Sequence, residues 1–126
     1  MLKKRITYTD YNGNERNEDF YFNLNKAEVM EMELSTSGGL VETMQRVIDA
    51  QDTSTLVKIF KDLVLKSYGQ KSLDGKRFIK NDQLREEFEQ SEAYPTLFME
   101  LATDADAAAK FVTGIMPAEF ATPQMS

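Results

Sequence analysis

Apolar and polar residues alternate along both arms of residues 4 to 24, KRITYTDYNGNERNEDFYFNL. Ile6 and Tyr8 alternate with Thr7 and Thr9, and Phe20, Phe22 and Leu24 alternate with Tyr21 and Asn23, so each arm gathers its apolar side chains on one face. Asn12 and Gly13 between the arms are the strongest local hairpin signal in the chain. The polar run from Asn14 to Asp19 predicts a longer, looser turn than a two-residue one. A two-stranded hairpin is marginal alone, so this face has to pack on helices or on the sheet of another copy.

After Leu24 the period changes to that of helices. Asn25 followed by Glu28 reads as a capping box, and the helix it opens runs to about Leu34 before STSGG ends it. A second helix, roughly Leu40 to Gln51, places Leu40, Val41, Met44, Val47 and Ile48 within an arc of about 120°. A third, from about Ser54 to Tyr68, spreads Leu56, Val57, Ile59, Phe60, Leu63 and Val64 over about 180° and is expected to be the most buried, with Gly69 as its stop. Leu65 falls on its polar side.

The stretch KSLDGKRFIKND, residues 71 to 82, gathers four cations around Gly75 in an otherwise acidic chain. A phosphate loop needs several amide donors from a glycine-rich turn and a helix N-terminus aimed at the anion; here one glycine follows Asp74, whose charge would repel phosphate. The stretch therefore reads as a connector, with a turn at SLDG and a short extended segment from Lys76 to Lys80 anchored by Phe78 and Ile79, whose lysines face solvent or pair with the REEFE carboxylates that follow. Asn81 or Asp82 caps the next helix, anchored by Leu84 and Phe88. Pro95 marks a boundary or the first turn of a fifth helix, which buries Tyr94, Leu97, Phe98 and Leu101 and turns Met99 about 100° away from the nearest of these. The last, DADAAAKFVTG, opens on a capping box of Thr103 and Asp106 and closes at Gly114.

This pattern predicts an α+β, mostly α fold: an N-terminal β-hairpin packed on about five short helices. One globular domain spans residues 1–117, with the hairpin at 4–24 and the helical part at 25–114. Residues 118–126 are expected to be a mobile tail.

Composition narrows the chemistry. With no cysteine and no histidine, thiolate nucleophiles, disulfides, the usual zinc sites and histidine-served nucleophiles are excluded. A formal charge of −6 disfavours nucleic acid and anionic membrane as partners. The amino-terminal MLKKRITYTD holds no apolar segment long enough for a signal peptide or a membrane span, and the expectation is a cytoplasmic protein. Glu28, Glu31 and Glu33 on one helix, and Asp104 and Asp106 on another, lack calcium-loop spacing and read as solvated acidic faces. No catalytic, cofactor or metal site emerges.

The first helix carries two apolar stripes, Met30 with Leu34 and Val29 with Met32, and burying both requires contacts on two sides. Scattered exposed apolar residues are normal. The sharper reading takes Val29, Met32, Leu65 and Met99 as a partner-binding surface in which flexible side chains adapt to an apolar segment.

The segments YTDYNGNERNEDFYFNLNKAEVMEMELSTSGG, IFKDLVLKSYGQKSLDGKRFIKND and FMELATDADAAAKFVTGIMP resemble tail assembly chaperones of long-tailed bacteriophages and prophages of Gram-positive bacteria. The resemblance runs from Arg5 to about Pro117 and lies in overall pattern. It implies a non-enzymatic role in virion morphogenesis: binding the tape measure protein, keeping its apolar helical stretches soluble, and helping the major tail tube protein polymerise around it. It further implies action in the host bacterial cytoplasm, absence from the mature virion, and in many members a second, frameshift-extended form. Self-association through the hairpin edge would fit such a role. A structural tail-completion or head-to-tail connector protein, or a small phage protein that binds a host target, would use the same elements differently.

Overall fold

The computed structural model describes residues 1–35 and 53–117, together with Gly39, Glu42, Gln45, Arg46 and Asp49 between them. Four strands and five helices are defined among these residues. Strand β1 (Leu2–Thr9) pairs antiparallel with β2 (Glu15–Phe22) along its full length, from Leu2 opposite Phe22 to Thr9 opposite Glu15. The polar residues 15 to 19 are therefore paired strand and not part of a loose turn. The five-residue connection is instead held by Asp10, whose carboxylate accepts from the amides of Asn12 and Asn14, while Gly13 takes a left-handed φ of 84°.

Odd-numbered side chains of β1 and Glu15, Asn17 and Asp19 of β2 are exposed, whereas Ile6 and Phe22 are buried. One face of the hairpin is thus wet and the other packs on the helices, as its alternation predicts.

Helix α1 (Lys26–Ser35) opens on the expected capping box: the Glu28 amide donates to Asn25 Oδ1 at 2.8 Å and the Asn25 amide donates to Glu28 Oε1 at 2.9 Å. The apolar positions predicted for the Leu40 to Gln51 helix lie outside the described residues. Helix α2 (Thr53–Ser67) is buried at its C-terminal end, at Leu63, Val64 and Ser67, while Val57 is exposed, so it is not the uniformly buried helix its wide apolar arc suggests. The buried Ser67 hydroxyl donates to the Val64 carbonyl.

The turn at Gly75 and the extended segment around Phe78 and Ile79 follow from local pattern, but the strand before them does not. Tyr68 to Lys71 form β3 and Phe78 to Ile79 form β4, a second hairpin that extends the sheet to the order β1-β2-β3-β4. Tyr21 and Phe22 pair with Gly69 and Tyr68, and Gln70 and Lys71 with Ile79 and Phe78. Gly69 is accordingly not a helix stop. A Cβ there would lie 2.6 Å from the Ile79 carbonyl oxygen and 2.7 Å from the Phe78 ring, so glycine is required by close packing.

Helix α3 (Asp82–Glu89) is capped by Asn81, and Phe88 is its buried anchor. Helix α4 (Ala93–Thr103) buries Ala93, Leu97 and Leu101. Helix α5 (Ala105–Ile115) is capped by Asp104, whose carboxylate accepts from the amides of Asp106 and Ala107, and not by Thr103, whose hydroxyl donates to the Met99 carbonyl. Gly114 lies inside this helix against Leu2, and the helix continues to Ile115, whose carbonyl accepts from the Leu24 amide.

At the centre, Phe22 meets Tyr68, Phe88 and Phe111 with ring centroids 5.2 to 5.8 Å apart, and Tyr68 stacks on Phe88 at 4.5 Å. These contacts bring both hairpins, α3 and α5 onto one aromatic cluster, each pair adding about 0.5–1.5 kcal/mol beyond its buried area. Ile115 and Met116 also belong to the core.

Candidate functional site

The basic stretch is a structured finger. Between β3 and β4, Ser72 Oγ donates to Asp74 Oδ1 at 2.6 Å, and the amides of Lys76 and Arg77 donate to Asp74 Oδ1 and Ser72 Oγ. The Ser72 hydroxyl, followed by the Lys76 amide, holds the Asp74 carboxyl below its ordinary range. Gly75 supplies the left-handed φ of 75° that the turn needs. Lys71 lies over the Tyr21 ring, 4.9 Å from its centroid. Lys80 leaves the expected pairing with the following helix altogether: its ammonium binds both carboxylate oxygens of Glu28 on α1, in a partly buried ion pair. Burial pushes the Lys80 ammonium below the usual lysine range, and the Glu28 hydrogen bond opposes that shift.

The Lys80 contact decides which stripe of α1 is covered. Glu28, Val29 and Met32 share one helical face, so the ion pair and the burial of Val29 turn the same side inward. Met30 and Leu34 are left outside, 52% and 80% exposed. The sequence-based surface of Val29, Met32, Leu65 and Met99 is therefore not one exposed patch. Val29 is core, which corrects its assignment to the surface, because it lies on the face that Lys80 holds against the domain. Met32 and Leu65 are half-buried against that core, and the Leu65 carbonyl accepts from Arg85 Nε. Met99 is exposed, on the side of α4 away from Leu97 and Leu101. Only the Met30 and Leu34 stripe, Val57, Met99 and the hairpin tips at Tyr11 and Leu73 present large apolar side chains openly, with Met1, among the described residues. The signal for Met30 and Leu34 is present in the sequence as an i, i+4 pair; what local pattern lacks is the long-range partner that chooses between two stripes.

Two open grooves flank the sheet. One, of about 480 Å³, lies between β2 and β3 and is lined by Phe20, Tyr21, Tyr68 and Lys71 among others. The other, of about 430 Å³, lies between β1 and α5, with Leu2, Ala107 and Phe111 as its apolar lining and carboxylates of Glu100, Asp104 and Asp106 mixed with the ammonium groups of Lys4 and Lys110 at its polar side. Lys4 of this groove is bound to Glu100 at 2.7 Å.

No group of three or more acidic, histidine or cysteine residues able to hold a metal is present among the described residues. Among the described residues, the Tyr8 hydroxyl donates to Glu18 at 2.6 Å and its pKa is raised to about 12, first by that bond and then by burial. Asp10 is held below its ordinary range, chiefly by Arg16 and then by the Asn14 amide. These groups knit the first hairpin together, and of the four only Glu18 lines the groove between β2 and β3. Among the described residues no helix is long and apolar enough to cross a membrane.

The surface thus presents an exposed apolar helical stripe, a hydrogen-bonded cationic turn and two open grooves. A family model described as phage tail assembly chaperone matches residues 1–125. No curated protein and no solved structure gives a significant match.

Proposed function

We propose a client-binding role from this premise: the chain belongs to the phage tail assembly chaperone family. In a long-tailed phage or prophage of a Gram-positive host, the protein binds the tape measure protein, keeps its apolar helical stretches soluble and promotes polymerisation of the major tail tube protein around it. The role is non-enzymatic, is carried out in the host bacterial cytoplasm and leaves the protein outside the mature virion.

The observation that carries this reading is the family match across residues 1–125. The exposed Met30 and Leu34 stripe supports it, because flexible side chains free of β-branching suit a client whose apolar segments vary along its length. Met99 supplies a further flexible contact on α4. Such sites bind weakly one at a time and gain strength when many copies occupy one long client.

Co-expression with the tape measure protein of the same genome, followed by affinity capture and mass determination, tests the proposal. A soluble complex with several copies per client is expected. No association, together with the protein's presence in purified virions, would replace the chaperone reading with a structural tail component.

A further inference from the structure

The sheet comes apart where two of its strands still run on. Strand β2 pairs with β1 over its full length but with β3 only at Tyr21 and Phe22, opposite Gly69 and Tyr68. The hydrogen bonds beside these pairs fix which backbone groups face the gap. The Asn23 amide donates to the Ser67 carbonyl at 2.8 Å, so at every second residue of β2, at Tyr21, Asp19 and Asn17, amide and carbonyl point to the β3 side. The Ser72 amide donates to the Arg77 carbonyl at 2.9 Å, so Ser72 and Gln70 turn theirs to the β4 side and Lys71 turns its own toward β2. Asp19 and Lys71 are thus the next rung of the ladder between β2 and β3, and that rung is not made. Pairing stops at Tyr21 and Gly69, and both residues line the groove of about 480 Å³ between the strands.

An unpaired strand edge takes up extended peptide, with main-chain hydrogen bonds giving affinity and alternate side chains giving specificity. The groove defines what those side chains should be. On the core face its lining is aromatic: Phe20 is half-buried, with its ring centroid 6.3 Å from that of Tyr68. Its carboxylates are already engaged, Glu18 by the Tyr8 hydroxyl at 2.6 Å and Asp19 by Arg5 at 3.1 Å. Lys71, on the opposite face of the sheet, is exposed, rests over the Tyr21 ring and has no carboxylate partner among the described residues. Of the three charged groups in the groove, it alone calls for an opposite charge. A strand's two-residue period delivers apolar side chains to one of these faces and acidic ones to the other. A nucleic acid would instead carry a row of phosphates past Glu18 and Asp19.

We propose that an extended segment of a partner protein, alternating apolar and acidic residues, adds to the open edge of β2 at Asn17 and Asp19, with its apolar side chains on Phe20 and Tyr68 and a carboxylate at Lys71. The groove volume lies within the roughly 300–1,000 Å³ of ligand pockets. So short a strand binds weakly, with a dissociation constant on the order of 0.1 mM.

NMR titration of the isotope-labelled full chain with a capped peptide of alternating valine and glutamate, Val-Glu-Val-Glu-Val-Glu, tests this. The amide resonances of Asn17, Asp19 and Lys71 should shift together. The counterpart peptide with lysine in place of glutamate should bind about tenfold more weakly, and Lys71→Glu should reverse that preference with the thermal melt nearly unchanged. The glutamate peptide with every backbone amide N-methylated keeps its charge and loses its main-chain donors, and it too should bind about tenfold more weakly. No shift at the three amides at millimolar peptide, equal binding of the two charge types, or undiminished binding of the methylated peptide would each overturn the proposal. Shifts at the same amides on raising the protein concentration alone would give the edge to a second copy and overturn it as well. The peptide comparisons use the wild-type chain, so they decide the matter even if Lys71→Glu disturbs folding.

Discussion

Lys80 and Glu28 lie 52 positions apart, yet the lysine ammonium donates to both oxygens of the glutamate, at 2.9 and 2.7 Å. The bond ties the end of the second hairpin to the first turn of α1. It also employs a carboxylate that is already half of a capping box, so one side chain caps its helix and fixes the face on which that helix docks.

The pair is partly exposed, 14% at the lysine side chain and 25% at the glutamate, so it should contribute more than a surface ion pair and less than a buried one. Lys80→Met is expected to cost about 1–2 kcal/mol. Glu28→Gln should cost a similar amount, because glutamine can still accept the Asn25 amide but cannot satisfy the ammonium. Chemical denaturation of both single variants and the double variant would show a coupling energy; strictly additive losses would mean that the pair does not couple α1 to the sheet.

Gly69 gives a sharper steric prediction. Gly69→Ala would force a methyl group against the Ile79 carbonyl and the Phe78 ring, at a cost of about 1–3 kcal/mol. Gly75→Ala meets open space and suffers only the left-handed backbone, about 1 kcal/mol, and Gly75→Asn should recover part of that. Thermal melts of the three variants should rank Gly69→Ala as the least stable.

The first hairpin has a defined alkaline limit. The Glu18 carboxylate accepts the Tyr8 hydroxyl bond and raises the phenol from 10.0 to about 12. A raised folded-state value means that this contribution is complete below pH 10 and is lost as the pH climbs from 10 to about 12. Ring-carbon NMR of Tyr8 should show ionisation near the upper value in the wild type. In Glu18→Gln it should fall back toward the ordinary tyrosine range; an unchanged midpoint would detach the shift from Glu18.

Client binding and folding should separate on α1. Met30→Ser with Leu34→Ser, two exposed positions, should leave the thermal melt nearly unchanged while weakening capture of the tape measure protein. Met99→Ser should act in the same direction. Val29→Ala removes buried methyl groups and should cost about 1–2.5 kcal/mol while leaving capture by the folded protein intact. Loss of capture by Val29→Ala alone, with the melt unchanged, would place the client on the opposite face.

Features set by near neighbours are legible in the amino-acid sequence alone. The alternation of Ile6 and Tyr8 with threonines, the Asn25 and Glu28 capping box, the Leu84 and Phe88 anchor and the outward turn of Met99 all depend on contacts within about four positions or on a strand's two-residue period. The tertiary structure decided what those signals leave open. Tyr68 to Lys71 is too short and too polar to show a strand period, and becomes one because β2 and β4 offer backbone partners. The two stripes of α1 are nearly equal in apolar character, so helical periodicity cannot choose between them. Burial of Val29 and the Lys80 bond to Glu28 break that tie through contacts spanning the domain, leaving Met30 and Leu34 facing outward.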